Sequence, residues 1–322
     1  MDTITQGLLG AAVGQAGFAD RLGRRAVWFG AACGLMPDFD VVMRAAGEWA
    51  SLVHHRGVTH SVLVLPLASL VIGAVASRFL GGGRERRAWI HLTFWALVTH
   101  PLLDVFTTYG TQLFAPFSDS RWAFDGVAIV DPIYTLPLAW AVWKKRVRTA
   151  RVALAWGLVY LLLGTAISAH VRTEARARLD AAGFQPVAVR ALVPILFPML
   201  RRVVARDADG NVAVGAWSWK GGVSDLLPID RLDDPAVRAA EDSEEGRIFA
   251  WFADDYVSAR VERADQTVVH LYDKRYAAFS DPYGALFAAR FVIEEGRVVE
   301  AHRTRARADF GAELDTCLDL AF

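Results

Sequence analysis

WIHLTFWALVTHPLLD, residues 89–104, places an apolar run long enough to enter a bilayer directly before a histidine and an aspartate four residues apart. On a helix that spacing puts His100 and Asp104 on one face, one turn apart. An imidazole and a carboxylate so arranged make half a site for a divalent metal. The same pair in isolation also serves as a plain helix-end hydrogen bond. Here it is followed by TTYGTQLFAPFSDSRWAFDGVAIVDPIY, residues 107–134, a polar loop punctuated by Gly and Pro that returns to another apolar run. Ionisable groups at the edge of a membrane segment usually mark a site.

Further apolar runs lie on both sides: residues 4–18, rich in Gly and Ala, 26–36, 62–80, 127–143 and 152–170. The first two are short against the roughly 20 residues a span requires, and their small residues suit close helix packing. Counted as spans, all of these give about six segments. The loops between them are unequal in charge. Segments 20–25, 78–87 and 144–151 carry three, four and five Lys/Arg, whereas 44–60 and 107–126 carry only Arg44, Arg56 and Arg121. The positive-inside rule makes the basic loops cytoplasmic. Asp38, Asp40, His54, His55, His60, His100, Asp104, Asp125 and Asp131 then all fall on the opposite side. His91, half a turn round the helix from His100 and near its cytoplasmic end, reads as structural.

The histidines cluster. HHRGVTHS, residues 54–61, holds three of the eight, beside a glycine that lets the backbone turn. A surface loop responsive to pH is the plain alternative. PDFD, residues 37–40, follows an apolar run; Asp40 there is either a ligand or a partner for Arg44 one turn on. Asp131 precedes Pro132 and is placed to cap the next helix.

Hydrophobic residues make up 54% of the 322, and mean hydropathy is +0.26, as befits a membrane protein, but residues 1–170 carry nearly all the apolar runs. Residues 171–322 alternate short β-branched stretches with turn signals such as DADGN and EEGR, which predicts an α+β domain with a mostly antiparallel sheet. That half shows no catalytic motif. A net charge of zero gives no electrostatic basis for a nucleic-acid partner. Cys33 and Cys317 lie far apart and define neither a disulfide framework nor a thiolate metal site. The N-terminus, MDTITQG, lacks the basic start of a signal peptide, so no cleavage is expected.

Together PDFD, HHRGVTHS, HPLLDVFTTYGTQLFAPFS (residues 100–118), the Asp125 loop and IVDPIYTLPL (residues 129–138) resemble the bacterial membrane-bound metal-dependent hydrolases, inner-membrane proteins that include a LexA-regulated member. The resemblance covers the motifs of residues 1–145. Many members begin with a Thr-His pair where this chain has Thr5-Gln6, so one histidine that relatives could use is absent, while Gln6 can still hydrogen-bond a ligand or water. A more distant likeness, by analogy of site only, is to zinc-dependent bacterial phospholipase C, where a helix also carries His and Asp four apart.

The resemblance implies a hydrolase. The residues add their own case: mixed His/carboxylate ligation suits Zn²⁺, Mn²⁺ or Fe²⁺, and seven candidate ligands (Asp38, Asp40, His54, His55, His60, His100, Asp104) exceed the four that one zinc takes, favouring two ions sharing an aspartate. Arg56 is placed to grip a phosphate or to orient Asp38 or Asp40, with Arg121 a weaker phosphate candidate. Asp125 or Asp131 is placed to act as a base or to orient ligands. The expectation is a multi-pass bacterial inner-membrane α-helical bundle of about six segments (residues 1–170) with the metal site at its outer face, followed by an extracytoplasmic α+β domain (residues 171–322). Its activity would be metal-assisted hydrolysis of a phosphoester in a lipid or other small membrane-proximal substrate. A metal-stabilised scaffold and an ion- or proton-coupled transporter are the alternatives; a transporter would spread ionisable groups through the bundle, whereas here they gather at one edge.

Overall fold

A computed structural model describes residues 1–304 and 310–321, with the side chains of residues 43, 44, 46 and 310 left out, so the Arg44 pairing considered for Asp40 lies outside the described residues. The chain divides into two compact units, residues 1–43 with 54–166, and residues 44–53 with 167–322. The expected boundary at 170 thus falls inside a helix, and the segment 44–53, expected to be a loop of the first unit, belongs to the second.

In the first unit the helices are α1 (Thr3–Gly17), α2 (Ala19–Leu22), α3 (Arg25–Leu35), a 3₁₀ stretch Met36–Ala46 that runs on into the second unit, α4 (Glu48–His54, also mostly second-unit), a 3₁₀ turn Val58–His60, α5 (Val64–Leu80), α6 (Arg86–Asp104), α7 (Pro132–Lys144) and the first part of α8 (Val147–Ala181). The six-segment bundle is not what forms. Among the described residues one helix, α8, is long and apolar enough to cross a membrane, or two if Glu48–His60 and Val64–Leu80 make one span broken by a 65° bend. The reason is length. At 1.5 Å per residue the 15 residues of α1, 11 of α3 and 13 of α7 fall short of a hydrocarbon core about 30 Å thick. The 19 residues of α6 spend part of their length on Arg86, Arg87, His91, His100 and Asp104. Apolar runs in the sequence do not report where a helix stops.

α1 and α3 lie unusually close. A Cβ on Gly10 would come 2.1 Å from the Gly30 carbonyl oxygen, and one on Gly34 would come 2.5 Å from that of Gln6, so only glycine permits this approach. The contact carries Gln6 on α1 and the Gly34 carbonyl on α3 to the C-terminal end of α6, where His100 and Asp104 are buried. α7 starts on a cap, Asp131 Oδ1 accepting from the Ile133 and Tyr134 N–H groups, with Pro132 at the first helical position. The faces of α5 and α7 away from this core expose Leu67, Val71, Phe79, Trp140 and Trp143.

The second unit is α+β. After the polar end of α8 come β1 (Ala188–Leu192), β2 (Leu200–Arg206), β3 (Val212–Ser218), β4 (Gly222–Val223) and β5 (Leu227–Ile229), then α9 (Pro235–Asp242) and α10 (Glu244–Phe252). β6 (Val257–Arg263), β7 (Thr267–Asp273), β8 (Ala288–Glu294), β9 (Arg297–Thr304) and α11 (Phe310–Ala321) complete it. β1 to β5 form one sheet and β6 to β9 another, every pairing antiparallel. Trp49 of α4 packs on the second sheet against Phe291 of β8.

Candidate metal centre

Four side chains from three sequence motifs converge in the first unit. His60 and His100 face each other through their Nε2 atoms at 3.2 Å. Asp38 Oδ1 lies 3.6 Å from His60 Nε2 and 3.4 Å from His100 Nε2, and Asp104 Oδ2 lies 3.4 and 3.5 Å from the same two atoms. All four atoms fall within 4.8 Å of one another. A tetrahedral ion bound at about 2.0–2.2 Å needs donor atoms about 3.3–3.6 Å apart, which is the spacing found. His60, His100 and Asp104 are wholly buried, while the Asp38 side chain is 23% exposed and forms the open corner.

The imidazoles are set as ligands. His100 Nδ1 lies 2.6 Å from the Gly34 carbonyl oxygen, which can only accept, so Nδ1 carries the proton and Nε2 turns a lone pair inward. The Thr59 hydroxyl donates to Asp40 Oδ2 at 3.1 Å and is left to accept from His60 Nδ1 at 3.0 Å; His60 Nε2 is therefore likewise free to coordinate. Two facing Nε2 atoms have room for at most one proton between them. Asp104 Oδ2 is buried with no well-aligned hydrogen-bond donor, although Arg56 Nε stands 3.2 Å away; its other oxygen accepts from Gln6 Nε2 at 3.0 Å and from the Met1 amine. An orphaned buried carboxylate oxygen amid inward lone pairs fits a cation. Three carboxylates, Asp38, Asp40 and Asp104, stand about one guanidinium, that of Arg56. Burial alone would push Asp40 up, but the hydrogen bond from His55 holds it below the usual carboxylate range.

Asp38, Asp40 and His55 form a second group that shares Asp38 with the first. Its Asp40 is already committed: Oδ1 to His55 Nδ1 at 2.8 Å, Oδ2 to the Arg56 N–H at 2.8 Å and to Thr59. It works as a clasp that fixes His55, Arg56 and, through Thr59, His60. Arg56 is buried at a φ of 61°, donates from Nη1 to Thr107 Oγ1 at 3.0 Å and lies 4.9 Å over the Tyr109 ring. Arg121 lies 5.3 Å from the same ring.

Besides Arg56 and Arg121, three expected residues fall outside both groups. His54 is exposed. Asp131 has one oxygen on the α7 cap and the other accepting from Tyr160 at 2.8 Å, so it caps α7. Asp125 is buried with a φ of 57° in the loop before α7. Conversely, sequence reading gave Thr59 and Gly34 no part, and Gln6 only a doubtful one. Thr59 lies inside a quoted motif, but Gly34 and Gln6 reach the site only through the α1–α3 contact.

A buried Asp/His cluster able to hold a metal ion, on helices with apolar outer faces, defines the class. The chain belongs to the YdjM inner membrane protein family, whose model matches residues 1–173. All of the first unit lies within that match. A second similarity is to the protein described as uncharacterized protein YfhP of Bacillus subtilis (strain 168), 31% identical over 112 residues, 33% of this chain and 33% of that protein. The match thus spans about a third of that relative's length. No solved structure matches this chain.

Proposed function

We propose that this protein is a metal-dependent hydrolase of the inner membrane acting on a phosphoester of a lipid or other membrane-proximal molecule. The observation that carries this reading is the set of four donor atoms within 4.8 Å of one another, the two imidazole nitrogens 3.2 Å apart and each carboxylate oxygen 3.4–3.6 Å from them, with a partly exposed corner at Asp38. A divalent cation held there, Zn²⁺ or Mn²⁺ by the donor set, would supply Lewis acidity and make water a nucleophile near neutral pH. One ion is the simpler occupancy, because Asp40 is spent on hydrogen bonds.

The chain's own residues supply the rest. His60, His100, Asp38 and Asp104 hold the ion, with Gly34, Thr59 and Gln6 fixing their orientation. His55 keeps Nδ1 on Asp40 and is 30% exposed, so Nε2 can take or give a proton at the open side. Arg56 neutralises Asp104 and presents its remaining guanidinium edge toward an anion. The test is metal analysis of detergent-purified protein followed by hydrolysis of a phosphoester panel. Metal and chelator-sensitive turnover support the reading; a tightly held metal with no turnover on any member of the panel identifies a scaffold with a closed shell.

The orientation we propose rests on charge. Five Lys/Arg at residues 144–151 precede the apolar part of α8, and three, Arg172, Arg176 and Arg178, follow it. The heavier side is the cytoplasmic one under the positive-inside rule, which supports a second unit outside the cytoplasm. A periplasm-dependent reporter fused at the C-terminus should be active, and activity of a cytoplasm-dependent reporter there would reverse the topology.

A further inference from the structure

The first sheet of the second unit ends in an apolar tip. β1 and β2 pair up to Leu192 opposite Arg202, β2 and β3 from Leu200 opposite Ser218, and β3 and β4 up to Ser218 opposite Gly222. The loop 193–199 and the turn 219–221 therefore project from the same end of the sheet. Both expose large apolar side chains: Ile195, Leu196 and Met199 are each about half exposed, and Trp219 is 68% exposed. Scattered exposed apolar residues are ordinary, but four gathered at one tip are not.

The loop is held in this shape. Arg201 is buried and donates from Nη1 to the Pro198 and Leu200 carbonyls at 2.7 Å each, and from Nε to Ser168 Oγ of α8 at 2.9 Å. Leu196 sits at a φ of 66°, a conformation a leucine adopts only where its surroundings impose it. A buried cation thus braces an apolar loop in which Ile195, Leu196 and Met199 stay exposed.

α8 tells which way the tip faces. Along the sheet, Ser168 meets Arg201, Val171 and Ala175 pack on Val203 and Trp217, and Leu179 packs on Ala205 and Ala213. Toward Leu179 the sheet ends in the polar turn 207–211; toward Ser168 it ends in the apolar tip. Between Arg151 and Arg172 α8 carries no Asp, Glu, Lys or Arg, and these 20 residues measure about 30 Å, the thickness of a hydrocarbon core. Ser168 lies one turn inside the end of that stretch, and the tip extends past Ser168 in the direction of the stretch.

We propose that residues 193–199 and Trp219 form an interfacial anchor that enters the lipid bilayer beside α8, holding the second unit against the membrane surface. Trp219, with Lys220 next to it, is the pairing favoured at a lipid–water boundary. The proposal rests on α8 crossing the membrane, and its test separates the two.

Full-length protein in nanodiscs of phosphatidylethanolamine and phosphatidylglycerol is labelled with an environment-sensitive fluorophore at Leu196→Cys, Trp219→Cys, Val159→Cys or Asp209→Cys. The native Cys33 and Cys317 are buried, and the unsubstituted chain sets the background. Val159, exposed in mid-α8, reports the span; Asp209, at the opposite turn, reports water. Quenching by lipids spin-labelled near the glycerol should be at least about twofold stronger at 196 and 219 than at 209. Iodide should quench in the reverse order. Lipid quenching at 159 with 196 and 219 as open to iodide as 209 overturns the anchor alone. Protection from iodide at 196 and 219 without lipid quenching means that a protein covers the tip, and also overturns it. Loss of lipid quenching at 159 overturns the span and the anchor with it.

Discussion

His100→Ala is expected to leave the purified protein without tightly bound divalent metal while it still enters the membrane and folds. The side chain contributes one of four donors at 3.2–3.5 Å from the others, and its loss opens one vertex of a shell that no other described residue can fill. The remaining His60, Asp38 and Asp104 would then hold two carboxylates against one imidazole with their geometry relaxed. Loss of a single ligand from a three- or four-donor set costs far more than the 10–100-fold that removing an orienting partner typically costs. Folding should survive because the truncation removes one ring near the end of α6, whereas α6 packs through Trp89, Leu92, Ala96 and Leu97 further up. His54→Ala and His91→Ala are the controls: both positions are exposed, and both variants should bind metal as the wild type does. Equal metal content in wild type and His100→Ala, measured by elemental analysis at matched protein concentration, would remove the ligand assignment.

Much of this centre was legible in the chain because its donors sit in short local patterns. HPLLD reports its own geometry through the helical repeat, and HHRGVTH and PDFD announce polar groups where an apolar run stops. Residue type alone does not sort the donors. Of the seven candidate ligands six fall in the two groups able to hold an ion, but a histidine beside another histidine can point to solvent, as His54 does. Asp131 offered two readings from one dipeptide, Asp-Pro; its Oδ1 caps α7, and its Oδ2 takes the Tyr160 hydroxyl from α8, a contact no local pattern announces. The supporting groups were illegible for a different reason. Gly34 acts through its carbonyl, which every residue has, and is recruited by a helix crossing that depends on glycines 20 residues apart. The number of spans failed because hydropathy marks an apolar run but not the turn that ends its helix. The placement of residues 44–53 with the second unit rests on contacts such as Trp49 on Phe291, more than 200 residues away in sequence.

Arg56→Lys is the substitution that divides holding from catalysis. Arg56 touches the centre at three places: Nε beside Asp104 Oδ2 at 3.2 Å, Nη1 on Thr107 at 3.0 Å, and the guanidinium plane over Tyr109 at 4.9 Å. A guanidinium cannot ligate a cation and is repelled by one, so its position beside the cluster needs an anion to compensate. Asp104 is one such anion. Once a divalent ion also sits on Asp104, that carboxylate is shared, and a phosphate at the open corner is the second anion the arrangement would favour. Lysine keeps the charge that Asp104 requires but loses the planar fork, the Thr107 bond and the stacking on Tyr109. Metal should therefore stay bound, since Gln6 and the ion itself still orient Asp104. Turnover of a phosphorylated substrate should fall by about tenfold or more, a loss of about 1.4 kcal/mol in transition-state binding. Metal analysis and kcat/KM on the same preparation separate the outcomes. Loss of metal would make Arg56 a support for Asp104 alone, and full retention of both metal and turnover would refute an anionic substrate at this site.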